Sequence, residues 1–287
     1  MAAVENAAKL KDFDSRVNEF LEGHSYVEFL INSGLVEKAK RLIETDMSLG
    51  DERRFRLYLR IDRDAAIEFA SRNGFYPSLM RYYHEIGAHD ETVSLFREVV
   101  SDRAKKEQLK ADIYLFRDIY DSINKSKKKE RLEDVLHSLF EICYSVKYYG
   151  LCVDAGIKLG DNELLRKLID KKRGYGFDVE SKMKLLQYSK GEYREEVAKE
   201  LKTFAESLIG EMGNYAYQKA VECVFMLKEM VSKEEWREFV KELYKAHSRK
   251  INLWSEFKER GVSLKLAKGV VSMEERNRLS RHSSISF

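Results

Sequence analysis

The sequence predicts an all-α protein built from stacked antiparallel helical hairpins and ending in one long C-terminal helix. Three observations carry that reading. Proline occurs once in 287 residues, which leaves helices free to run. Apolar residues recur at three- and four-residue spacing along most of the chain. A helix–glycine–helix unit also recurs, clearest over 155–169. There an apolar run ends at Leu159, Gly160 tolerates the positive φ that closes a helix, and Asp161 or Asn162 can cap the next one. Glu163 then suits the new helix dipole, and Leu164, Leu165, Leu168 and Ile169 start a fresh stripe.

Taken in order, residues 6–21 read as a first helix, with Leu10, Phe13, Val17, Phe20 and Leu21 on one face. A first hairpin spans 25–45. Phe55, Leu57, Leu59 and Ile61 alternate as a strand would. Leu57, Ile61, Ala65 and Phe69 fit a helix equally, and no second strand stands ready to pair, so helix is preferred. Helices follow at 64–73, 77–86, 89–100 and, longer, 103–123, the second opened by Pro77. The segment 125–131 lacks apolar residues and reads as a basic linker between an N-terminal repeat region, 1–124, and a C-terminal one, 132–271. Beyond it, helices are expected at 132–146, 148–159, 162–171, 179–189, 192–209 and 214–230. Ser232 and Glu235 form a capping box that opens the long helix, 233–260, which Gly261 closes. The polar segment 272–287 is expected to be a disordered tail.

Aligning Gly34, Gly74, Gly87 and Gly160 places Ala39, Leu79, Thr92 and Leu165 five positions on, and Ile43, Tyr83, Phe96 and Ile169 nine positions on. The stretch from Ala66 through Gly74 to Gly87, followed by Thr92, Leu95 and Phe96, resembles the tetratricopeptide and clathrin-heavy-chain class of α-solenoid. The resemblance covers about 25–100 and 148–205 and stays at the level of the class, because no full consensus repeat is present. It implies a scaffold that binds other macromolecules, with a protein partner in a helical groove.

Composition sets outer limits. With 44% hydrophobic and 35% charged residues the chain belongs among folded proteins, and a net charge of +3 gives no strong pull toward nucleic acid. Lys, Arg and Glu are abundant and Gln scarce, the bias of proteins from hot habitats. Cys143, Cys152 and Cys223 lack ligand spacing and read as small buried hydrophobes. No apolar run approaches a membrane span, and the N-terminus lacks the regions of a signal peptide, so cytoplasm and no membrane partner are expected.

No catalytic, metal or cofactor residues are expected. His84 and His89 are five apart, the wrong interval for one helical face, and read as surface or capping residues. His247 falls on an apolar stripe. Gly174 and Gly176 lack the lysine and helix start of a phosphate loop. The expected function is therefore a non-enzymatic protein–protein interaction scaffold. The alternative is a helical nucleic-acid binder using basic loops, with Lys127, Lys128, Lys129, Lys171, Lys172, Arg173, Arg249 and Lys250 as its contacts and Tyr114, Phe116, Tyr120, Tyr175 and Phe177 nearby.

Overall fold

A computed structural model describes residues 23–46, 48–128, 132–174, 176–267 and 270–275. The expected first helix at 6–21, Lys129, Tyr175 and residues 276–287 lie outside the described residues. The described chain is mostly helical. Its helices are α1 (Gly23–Asn32), α2 (Val36–Thr45), α3 (Asp51–Leu59), α4 (Arg63–Asn73), α5 (Tyr76–Glu85), α6 (His89–Ser101), α7 (Arg103–Leu109) and α8 (Leu115–Lys125). After these come α9 (Leu132–Ser145), α10 (Tyr149–Leu159), α11 (Asn162–Ile169), α12 (Val179–Ser189), α13 (Arg194–Glu211), α14 (Asn214–Lys228), α15 (Lys233–His247) and α16 (Ile251–Glu259). A hairpin of β1 (Val262–Ala267) and β2 (Val270–Glu275) follows. No described helix is long and apolar enough to cross a membrane.

One turn geometry recurs. Gly34, Gly74, Gly87 and Gly160 all adopt φ of 67–74° at helix C-termini, as the helix–glycine–helix unit requires. The next residue's amide then reaches back to close the turn: Leu35 to Leu30 O, Phe75 to Ala70 O, Ala88 to Tyr83 O and Asp161 to Gly156 O. A fifth turn has the same bond, Tyr148 N to Cys143 O at 2.8 Å, but its left-handed residue is Lys147, at φ 62°. Asp161 caps α11 by accepting from Leu164 N at 3.0 Å, and Ser232 caps α15 by accepting from Glu235 N at 3.1 Å.

The chain falls into two compact units that part between Leu139 and Phe140, inside α9 and beyond the basic segment 125–131. In the first unit Phe55, Tyr58, Phe69 and Phe75 form the core, and Arg54, 6% exposed, donates to Ile43 O and Glu44 O at the C-terminus of α2. In the second, Leu201, Leu208, Val224, Trp236 and Phe257 are buried, and the Trp236 indole donates to Val224 O at 2.8 Å. Within each unit most successive helices pack together. Several also touch the next but one: α3 with α5, α6 with α8, α10 with α12, α11 with α13, and α12 with α14.

Three expectations are corrected. The helix read at 103–123 is broken, because Asp112 accepts from Leu115 N at 3.3 Å while its other oxygen meets Arg81 at 2.5 Å. The long helix 233–260 is two helices. Lys250 leaves helical geometry at ψ 77°, its ammonium donates to Ile209 O at 3.1 Å, and the Trp254 indole takes His247 O at 2.9 Å. Nor does the chain end there. β1 and β2 pair antiparallel from Val262–Glu275 to Ala267–Val270, carrying regular structure into the segment read as a tail. Glu275 anchors the hairpin through Lys228 at 2.7 Å and Arg237 at 2.8 Å. Burial alone raises its pKa, but these two cations outweigh burial and hold it below the ordinary carboxylate range.

Candidate functional site

Lys127 and Lys128 follow α8, with exposed side chains. Their backbone is already engaged, since Asp90 Oδ1 accepts from Ser126 Oγ at 2.6 Å, Lys127 N at 3.0 Å and Lys128 N at 3.4 Å. The protein's own carboxylate thus fills the concavity a phosphate would use. The hydrogen bond from Ser126 is the main reason that the Asp90 carboxyl stays below its usual range.

The other basic residues belong to the second unit. Lys171 pairs with Asp170 at 3.6 Å. Arg173 engages the Glu211 carboxylate and lies over the Phe204 ring at 5.1 Å. Lys250 donates to Ile209 O and lies 5.6 Å from the Tyr217 ring. Arg173 and Lys250 therefore meet at the C-terminus of α13, where the helix dipole favours cations. Lys172 and Arg249 are exposed. Of the nearby aromatics, Phe116 and Phe177 are buried and Tyr114 is exposed.

The same end of α13 carries apolar surface that sequence reasoning missed. Met212 has φ 59° and ψ 156°, a strained conformation for a residue with a side chain, and leaves that side chain 67% exposed. Asn252 donates to Asn214 Oδ1 at 3.1 Å, which brings Ile251, 79% exposed, to the edge that holds Tyr215, 53% exposed. Periodicity finds buried stripes and has no signal for an exposed apolar residue set by a turn.

Beside this edge lies a slot of about 340 Å³ lined by Val146, Lys147, Tyr149, Lys172, Arg173, Gly174 and Phe177. Its walls are fixed by a close backbone approach. Gly150 N donates to Gly176 O at 2.5 Å, and a Cβ on Gly150 would stand 2.6 Å from that oxygen. Phe177 and Tyr149 meet at 83°, with centroids 5.7 Å apart. A larger cleft of about 530 Å³ runs past Tyr144, Arg166, Asp170, Glu196 and Glu200, where cations and carboxylates alternate and Arg166 pairs with Glu196 at 2.9 Å.

In the first unit His84 and His89, read as surface or capping residues, are half-buried and come together across a turn. The turn at Gly87 folds them so that both Nδ1 atoms face Ser122 Oγ, at 2.9 and 3.3 Å. His84 Nε2 lies 3.9 Å from Asp118. Ser122 is fully buried, so the arrangement fastens α5 and α6 to α8 and offers no oxygen to a substrate. Burial, then Lys125 and His84, push the His89 pKa down. Among the described residues no group of three or more His, Cys, Asp or Glu is placed to hold a metal ion.

Comparison with family models, with curated proteins and with solved structures gave no match.

Proposed function

We propose that the chain is a cytoplasmic, non-enzymatic interaction scaffold, an α-solenoid-like stack of helical hairpins that holds a protein segment. The observation that carries this reading is the edge at the end of α13, where Met212, Tyr215 and Ile251 are exposed beside Lys250. Exposed apolar side chains gathered on one edge and rimmed by charge suit association with another protein. The recurring hairpin turn and the packing of helices on their next-but-one neighbours support stacking of the tetratricopeptide kind. Buried thiols at Cys143, Cys152 and Cys223 suit a reducing compartment.

The test is co-purification from a nuclease-treated extract, comparing wild type with a Met212→Ser, Ile251→Ser variant. Both side chains are largely exposed, so melting should be unchanged. A stoichiometric protein retained by wild type and lost by the variant is expected. Recovery of nucleic acid alone, with nothing left after nuclease, overturns the reading.

A further inference from the structure

We infer that the slot between the α9–α10 turn and the loop after α11 is a docking site for an acidic, apolar peptide segment, with Lys147 and Lys172 as the residues that meet its carboxylates. The inference rests on the scaffold reading and names the chemistry of the partner.

Lys147 is the first observation. Four of the five like turns place glycine at the left-handed position, whereas this one places lysine there at φ 62°. A side chain in that region is disfavoured, and nothing in the turn's hydrogen bonding requires lysine: the bond from Tyr148 N to Cys143 O is the one the glycine turns make. An unfavourable conformation kept at the mouth of a slot points to use of the side chain.

The slot's composition is the second. Its charged lining is wholly cationic, with Lys147, Lys172 and Arg173, while the half-buried Val146 and Tyr149 supply apolar wall and Phe177, 1% exposed, backs it from behind. Arg173 is engaged by Glu211, but neither Lys147 nor Lys172 has a carboxylate within ion-pair distance among the described residues. Two exposed ammoniums above an apolar floor complement a segment that alternates carboxylate and aliphatic side chains. A single-stranded nucleic acid fits less well. Phe177 is 1% exposed and packed against Tyr149, so no open aromatic platform is offered to a base.

The experiment measures fluorescence anisotropy of a short labelled peptide alternating Glu and Leu, beside its Gln-for-Glu counterpart and labelled oligouridine, on wild type, Lys147→Gly and Lys172→Gln. Wild type should bind the acidic peptide in a salt-sensitive way and bind the neutral one poorly. Each substitution should weaken binding roughly two- to fivefold, the scale of an exposed ion pair. Lys147→Gly should at the same time raise the melting temperature by roughly 2–4 °C, because glycine relieves the left-handed residue. Peptide binding unchanged in both variants, or oligouridine bound in preference and lost in both, overturns the site. Loss of peptide binding in these variants alongside an extract yielding no protein partner would keep the site and remove the scaffold reading.

Discussion

Lys182 holds its ammonium 2.8 Å from Glu200 Oε1 while donating to Ile169 O at 2.5 Å and Lys171 O at 2.9 Å. The lysine is 1% exposed, so a single cation closes the C-terminus of α11 and fastens the start of the loop that carries Lys172 and Arg173. Burial pushes its pKa down and Glu200 opposes that. Every proton of the ammonium has a partner, which marks the group as a brace for the loop.

Lys182→Met should therefore destabilise by about 3 kcal/mol, since it strands a carboxylate and two carbonyls. Adding Glu200→Gln should restore part of the loss. Urea titrations of both variants check this. A Lys182→Met loss below about 1 kcal/mol would show that water replaces the ammonium without difficulty.

Gly160→Ala should cost about 1 kcal/mol. At φ 67° the loss is conformational, since a Cβ there meets nothing within 4 Å. A variant more stable than wild type would mean that the turn relaxes out of the left-handed region.

Below its pKa the unfolded His89 takes a proton that the folded chain resists, because burial, Lys125 and His84 depress its folded pKa. The unfolded state then binds more protons, so stability falls as pH drops below about 6.5 toward the folded pKa. Burial and Lys250 depress His247 in the same direction. His89→Gln should flatten part of the slope between neutral and mildly acidic pH, and His89→Gln with His247→Gln more of it. Chemical denaturation across that range measures it, and a wild-type stability flat across it would contradict the assignment.

Glu275 titrates with the same sign in a more acidic window. Its folded pKa is depressed, so its stabilisation is present above the unfolded value and lost as pH falls through the folded one. Glu275→Gln should loosen the hairpin, read as faster amide exchange over Val262–Ala267, with little change over α13. Uniform protection in the variant would show that Val262 and Val271, 2% and 6% exposed, hold the hairpin alone.

What the sequence disclosed follows from how local each signal is. The need for φ above zero belongs to one residue, so Gly34, Gly74, Gly87 and Gly160 announce their turns, while Lys147 in the same role gives no sign. The breaks within 103–123 and 233–260 are imposed by Arg81 on Asp112 and by Lys250 on Ile209, partners 31 and 41 residues away. The basic clusters were visible as charge. That Arg173 is held by Glu211, 38 residues on, was not. The hairpin escaped because Val262, Leu264 and Leu266 make too short an alternation to stand out from helical stripes.

The nucleic-acid alternative meets its test in the same charges. Arg173 and Lys250 have partners in the fold, so the exposed cations left to try are Lys127, Lys128, Lys172 and Arg249. Each that touches a phosphate contributes roughly one unit of salt slope, and its replacement by glutamine should lower both affinity and slope while melting stays fixed. The backbone at 126–128 is closed to phosphate by Asp90, and a net charge of +3 gives only a modest long-range field. The expected outcome with mixed-sequence RNA and DNA is weak binding at low salt that vanishes near physiological ionic strength in wild type and the fourfold variant alike. Tight binding by wild type at physiological salt, abolished in the variant, would replace the scaffold with a nucleic-acid binder.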